Sequence, residues 1–103
     1  MVFIETTLFT KKVKDYLDDE QYRALQNTLI EDPLAGDVIP GMSGLRKVRW
    51  GSKSKGKRGG IRIIYYWQKS DKQIYLLTVY AKNEMSDLSA NEKKILKRMV
   101  EEW

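Results

Sequence analysis

The basic residues of this sequence crowd into one stretch, and their side chains have the clearest chemical use. The run SKSKGKRGGIRIIYYW, residues 52–67, carries five cations and three glycines, and residues 38–70 hold nine cations without one Asp or Glu. The chain as a whole has a net charge of +5, so the rest of it is net negative. A positive field concentrated in this way favours an oriented polyanion such as nucleic acid as partner. A solvated loop without a ligand is the alternative interpretation.

Two residue types that commonly carry chemistry are missing. The chain has no histidine and no cysteine, which excludes disulfides, thiolate metal sites, the usual general base and the usual zinc ligand. Proton transfer and charge stabilisation must then use lysine, arginine or tyrosine. Crowding by other cations disfavours the ammonium form of a lysine and lowers its pKa. We predict a site that uses no metal and no other cofactor.

The elements that must position these residues follow from hydrophobic spacing. A chain of 103 residues corresponds to one domain, residues 1–103. Its first half predicts a short strand and two helices that form a hairpin. The strand is Val2 to Glu5, the first helix begins near Thr6 or Thr7, and the second helix has Asp18 or Asp19 as N-cap and ends near Asp32, before Pro33.

The second half of the chain predicts a sheet and a final helix. Residues 34–44, LAGDVIPGMSG, are typical of a loop, and three β-like runs follow at residues 45–50, 61–67 and 74–80. Ser89 and Glu92 have capping-box spacing, and an apolar stripe follows them: Ile95, Leu96, Met99, Val100 and Trp103. We predict an α+β fold of order β-α-α-β-β-β-α, a small antiparallel sheet packed by an N-terminal helical hairpin and a C-terminal helix.

The basic residues fall at two kinds of place in this scheme. Four of them lie in the glycine-rich connection between the second and third strands: Lys53, Lys55, Lys57 and Arg58. Arg62 lies inside a strand, where alternation places it on one face with Ile64 and Tyr66. An arginine fixed by a sheet beside a lysine cluster suits phosphate recognition. The other interpretation of Arg62 is an ion pair with a carboxylate from a helix.

Two segments resemble a known family. GLRKVRWGSKSKGKRGGIRIIYYW (residues 44–67) and IYLLTVYAKNEMSDLS (residues 74–89) resemble the HigB branch of the RelE/ParE toxin superfamily. The resemblance implies a RelE-like microbial RNase fold and a toxin of a bacterial type II toxin-antitoxin system. Such a toxin is a ribosome-dependent mRNA endoribonuclease, or mRNA interferase, that inhibits translation. Its implied partners are the ribosome with bound mRNA and a cognate HigA-like antitoxin that carries the DNA-binding function.

Carried over residue by residue, the resemblance predicts a metal-independent site. RNA cleavage requires deprotonation of the 2′-OH, stabilisation of charge on the phosphorane and a proton for the leaving 5′-oxygen. Arg62 is predicted to bind the charged phosphate, and Lys55 or Lys57 to act as base or electrostatic stabiliser, with Lys82 as a further catalytic candidate. The predicted contacts to RNA or the ribosome are Arg46, Arg49, Lys53, Arg58 and Trp50.

The segment after the last β-like run departs from the RelE pattern. An arginine and a later tyrosine of that pattern correspond here to Lys82-Asn83-Glu84 and Leu88. Tyr66 or Tyr80 could substitute for the tyrosine, although a core or stacking role is the simpler interpretation of both. Glu84 and Asp87 are expected to orient Lys82 or to cap the final helix rather than to bind metal.

Two other functional classes fit the same sequence. A non-catalytic RNA- or DNA-binding module would show the same basic segment, and a ParE-like toxin would poison gyrase with the same fold. The lysine-rich loop beside an aligned arginine favours the nuclease over the gyrase poison. No segment approaches the ~20 apolar residues of a membrane span, so we expect a cytoplasmic protein that does not bind membranes.

Overall fold

The computed structural model of the protein describes residues 1–51, 60–82, 84 and 88–102. These residues form three helices and five strands. In chain order they are β1 (Val2–Glu5), α1 (Thr7–Tyr16), α2 (Asp19–Glu31), β2 (Asp37–Val38), β3 (Arg46–Trp50), β4 (Ile61–Gln68), β5 (Gln73–Ala81) and α3 (Ala90–Glu101). In these ranges no helix has the length and apolar character needed to cross a bilayer.

The strands make one mixed sheet in the order β1-β5-β4-β3-β2. The pairs β2–β3, β3–β4 and β4–β5 are antiparallel. At one edge of the sheet β1 runs parallel to β5. The α+β class is confirmed, but the sheet is not purely antiparallel. The residue 34–44 segment was also predicted to be entirely loop, and that is wrong, because Asp37–Val38 pairs with the start of β3.

Helices cover both faces of the sheet. Phe9 and Val13 of α1 and Leu25 and Leu29 of α2 pack on one face, which we call the hairpin face. Leu96 and Val100 of α3 pack on the other, which we call the α3 face. Burial on both sides explains why β4 and β5 are almost continuously apolar.

The helix ends follow the signals in the sequence. Asp18 and Ser89 are the N-caps of α2 and α3, and each forms a complete capping box with the Gln or Glu three residues later. The predicted stripe of α3 is only partly right. Leu96 and Val100 are buried, but Ile95 is 52% exposed, and Trp103 lies outside the described residues.

Candidate nucleic-acid interface

Two arginines and a tyrosine form a row across the α3 face. Arg49 of β3 lies opposite Arg62 of β4, and Arg62 lies opposite Tyr80 of β5. Side chains at opposed positions of neighbouring strands have Cβ atoms only about 4.5–5.5 Å apart, and like charges placed there are destabilising. Two adjacent arginines therefore oppose folding, which is typical of a site built to bind an anion.

The sheet itself fixes the position of Arg62. Its side chain is half-buried and lies on the face of Ile64 and Tyr66, as strand alternation predicts. The guanidinium donates a hydrogen bond from Nη1 to the carbonyl oxygen of Ile61, at 3.3 Å. This bond is to a backbone carbonyl rather than to the helix carboxylate of the alternative interpretation, and a guanidinium has five N–H donors, so others can bind a ligand.

An irregularity in β5 brings Tyr80 and Lys82 to the same face as Arg62. Ile64 lies opposite Thr78 but Tyr65 lies opposite Leu76, so β5 has one extra residue at this point. Before the bulge the even-numbered Leu76 faces the hairpin, whereas after it the odd-numbered Val79 does. Such bulges redirect side chains and are common beside functional sites.

Lys82 follows β5 at the open end of the row. It is exposed, and its backbone N–H donates to the carbonyl oxygen of Gly60, at 3.2 Å. Gly60 is the first described residue after the basic loop and has φ +38°. Lys82 is therefore held beside Gly60, just before the start of β4. Lys53, Lys55, Lys57 and Arg58, which are the loop candidates, lie outside the described residues.

The predicted RNA-contacting residues of β3 separate onto two faces. Arg49 is exposed on the α3 face, next to Arg62. Trp50 packs partly buried against the cluster on the hairpin face. Arg46, opposite Tyr65, donates from Nη1 to the carbonyl oxygen of Gly36 at 2.7 Å. The structure thus places Arg49 opposite Arg62 and Lys82 beside Gly60, whereas Arg46 and Trp50 lie on the hairpin face.

The two tyrosines considered as proton donors belong to the packed part of the α3 face. Tyr80 is 2% exposed and lies in the cluster with Leu96 and Val100. Tyr66 is half-buried, with its ring centroid 6.4 Å from that of Tyr75. Both positions fit the core interpretation of these residues.

Glu84 has a hydrogen-bond partner that sequence reasoning missed. Glu84 accepts a hydrogen bond from the hydroxyl of Tyr16, at the end of α1, while Ser89 caps α3. Partial burial raises the pKa of Tyr16 to about 12, and the hydrogen bond and negative charge of Glu84 act in the same direction. The phenol is therefore a neutral donor at physiological pH. No local pattern links these two residues, which are 68 positions apart.

The open end of the α3 face is chemically suited to a phosphodiester. Arg49 and Arg62 supply planar arrays of N–H donors, and Lys82 supplies a point charge. Such groups stabilise additional negative charge on a phosphate without the proton transfers that histidine would perform. Among the described residues, His, Cys, Asp and Glu side chains do not gather in groups of three or more that could hold a metal ion.

Comparisons with known proteins agree with this fold. The family model described as the RelE toxin of the RelE/RelB toxin-antitoxin system matches residues 2–103. The isolated E. coli RelE toxin is similar in structure, with a TM-score of 0.57 and 17% identity over 95% of this chain and 97% of that one. A chain of the intact E. coli RelBE toxin-antitoxin complex matches with a TM-score of 0.56 and 18% identity, covering 76% of this chain and 92% of the other. At such identities the structural matches establish a shared fold.

Proposed function

Since this chain belongs to the RelE toxin family, we propose that it is a ribosome-dependent endoribonuclease that cleaves mRNA and thereby inhibits translation. The single observation that carries the proposal is the row in which Arg49 lies directly opposite Arg62 and Arg62 opposite Tyr80, two residues before Lys82. Adjacent like charges do not stabilise a fold. Adjacent positive charges do stabilise the negative charge on a phosphoryl group during its transfer. The sequence motifs in residues 44–67 and 74–89 also support assignment of this chain to the HigB branch.

The proposed reaction is an internal displacement at phosphorus. The 2′-oxygen of the nucleotide attacks the adjacent phosphorus and the bond from phosphorus to the 5′-oxygen breaks, which leaves a 2′,3′-cyclic phosphate and a 5′-hydroxyl. Arg62 binds the non-bridging oxygens as their charge increases. Lys55, Lys57 and Lys82 share the remaining duties, which are removal of the 2′ proton, stabilisation of charge and protonation of the 5′-oxygen.

We assign Arg49 to binding rather than to proton transfer. Its guanidinium is exposed beside Arg62 and can hold a neighbouring phosphate of the same strand, as Lys53 and Arg58 are proposed to do from the loop. Trp50 remains a proposed stacking partner for a base, although its ring packs on the hairpin face. Arg46 is the weakest of the proposed RNA contacts because its guanidinium already binds the Gly36 carbonyl.

The proposed regulator is a cognate antitoxin. The family is defined by toxins of toxin-antitoxin systems, and one similar structure is a toxin-antitoxin complex. We propose a HigA-like antitoxin that carries the DNA-binding function and covers the basic face with an acidic or helical segment. The open face favours this, since Arg49 and Lys82 are both exposed in the chain alone.

A reconstituted translation reaction tests the proposal. Wild-type protein, Arg62→Ala and the control Arg23→Ala, which removes an exposed arginine from α2, are added separately, and primer extension maps the messenger ends. We expect new ends within the translated frame for wild type and Arg23→Ala. These ends should be absent without ribosomes and absent for Arg62→Ala.

Other results would favour the other classes. An intact message with wild-type protein would reject the nuclease. Inhibition of gyrase supercoiling in a parallel assay would then identify a ParE-like toxin, and salt-dependent RNA binding without cleavage would identify a binding module. Loss of cleavage by Arg62→Ala with ribosome binding retained would place Arg62 in the chemistry rather than in docking.

A further inference from the structure

A hydrogen bond between distant parts of the chain reaches the segment that carries Lys82. Tyr16, the last residue of α1, donates its hydroxyl proton to Oε1 of Glu84, two residues beyond Lys82. The N–H of Glu84 donates to the carbonyl oxygen of Ala81 at 3.0 Å, which closes the turn that contains Lys82. Tyr16 therefore bonds to the far end of the turn that contains Lys82.

A backbone hydrogen bond holds the other side of this turn, at Lys82. The N–H of Lys82 donates to Gly60, which joins the turn to the start of β4. The turn is thus bonded to the sheet through Lys82 and Gly60, and to α1 through Glu84 and Tyr16. The Tyr16 contact adds a side-chain bond from α1 to the bond that the turn makes with Gly60.

The Tyr16–Glu84 contact has a close chemical counterpart elsewhere in the fold. Tyr22 of α2 donates its hydroxyl to Oε2 of Glu5 in β1, and burial with the Glu5 contact raises the pKa of Tyr22. Both are half-buried phenols bonded to exposed carboxylates. The Tyr22–Glu5 contact joins α2 to β1 and does not include the turn after β5, so it provides a matched control.

We propose that Tyr16 is a positioning residue for catalysis, which acts through Glu84 to hold the turn after β5 and so fixes Lys82 at the end of the row that contains Arg62. This inference rests on the proposed nuclease function. A hydrogen bond to a carboxylate is stronger than one between neutral groups, and a shift of about 1 Å in a catalytic group can cost about 100-fold in rate. A single contact remote from the phosphate can therefore control the rate of cleavage.

The kinetic test compares Tyr16→Phe with Tyr22→Phe, each of which keeps the ring and removes one hydroxyl. In single-turnover cleavage of ribosome-bound mRNA, we expect Tyr16→Phe to lower the maximal rate by about tenfold or more. The toxin concentration that gives half of the maximal rate should be unchanged in Tyr16→Phe. The maximal rate of Tyr22→Phe should stay near that of wild type. Glu84→Gln, which keeps an acceptor oxygen for Tyr16, should retain more activity than Glu84→Ala.

A double-variant comparison separates positioning from general stability. In a Lys82→Ala background, Tyr16→Phe should produce little further loss, because the group that it positions is already absent. Equal losses for Tyr16→Phe and Tyr22→Phe would overturn the inference, as would a full further loss in the Lys82→Ala background. Both results would leave the nuclease function standing, since wild-type cleavage is scored in the same assay.

A measurement without activity tests the same contact. The Lys82 amide donates to Gly60, so its hydrogen exchange reports opening of the turn. We expect Tyr16→Phe to speed exchange at Lys82 by about tenfold relative to wild type, with no such change in Tyr22→Phe. Unchanged exchange at Lys82 in Tyr16→Phe would overturn the positioning role, whether or not the protein cleaves RNA. Absence of cleavage by wild type would instead reject the proposed nuclease function.

Discussion

Replacing Arg49 with glutamine should stabilise the fold while weakening the function. Arg49 lies opposite Arg62 in the ladder between β3 and β4, and the two guanidinium groups repel each other in the absence of a bound anion. Gln keeps a similar length and polarity but removes the charge. The free energy of unfolding should therefore rise in Arg49→Gln, which is unusual for a substitution within a strand.

The cross-strand geometry sets the size of this effect. Opposed Cβ atoms lie about 5 Å apart, and two charges about 7 Å apart in water repel each other by about 0.6 kcal/mol. The Debye length is about 30 Å at 0.01 M salt and about 8 Å at 0.15 M. The gain should thus be about 0.5 kcal/mol at low salt and about half of that at physiological salt.

Thermal unfolding at two salt concentrations measures this prediction. For a domain of this size about 1 kcal/mol corresponds to a Tm change of about 4–8 °C, so we expect Arg49→Gln to melt about 2–4 °C above wild type at low salt. The control Lys69→Gln removes an exposed cation from the turn after β4 and should change Tm little. In parallel, RNA or ribosome affinity should fall, with a shallower dependence on salt.

Three results would refute the electrostatic reasoning. The first is a lower Tm for Arg49→Gln, and the second is a gain that does not shrink with salt. The third is an equal gain when Arg62 is already glutamine, since the repulsion needs both charges. Any of these results would mean that Arg49 and Arg62 do not repel each other measurably. Their opposed positions would then give no support to an anion site.

Other substitutions test the packing that supports this face. Tyr65→Phe should lower the free energy of unfolding by about 1–3 kcal/mol in urea titrations, because the buried N–H of Gly36 loses the hydroxyl that accepts its hydrogen bond at 2.9 Å. Gly36→Ala should be at least as damaging, because its new methyl would lie 2.8 Å from the backbone carbonyl oxygen of Lys47. Ser89→Ala should cost about 1 kcal/mol through loss of the α3 cap. Burial and a carboxylate raise the pKa of Tyr22 above 10.0, so its neutral form stabilises the fold below about pH 10 and this contribution declines as pH rises further. Tyr22→Phe should therefore lose less stability than wild type in alkaline unfolding curves.

The features that the sequence predicted well depend on local signals. Pro33 correctly marked the end of α2, and the Ser89 and Glu92 spacing correctly marked the start of α3. Strand alternation correctly placed Arg62 with Ile64. The same alternation, applied to β3, separates Arg49 from Arg46 and Trp50, so their division between two faces was available from the sequence although the predicted contact set ignored it.

The features that the sequence missed depend on non-local pairing. Two residues, Asp37–Val38, are too few to show a strand pattern. The parallel pairing of β1 with β5 joins segments separated by most of the chain. The bulge in β5 is hidden because the run around Leu77 is apolar on both faces, and its extra residue changes which side chains accompany Arg62.

The course of α3 explains why one end of the α3 face stays open. The helix begins after the turn that follows β5, and near its other end Glu101 accepts a hydrogen bond from Ser43, just before β3. It therefore covers the part of the sheet nearest the start of β3, where Leu45 is fully buried. Arg49 lies at the far end of the same strand and remains exposed. Stability comes from the covered end and from the hairpin face, which lets the open end hold repelling charges for a ligand to neutralise.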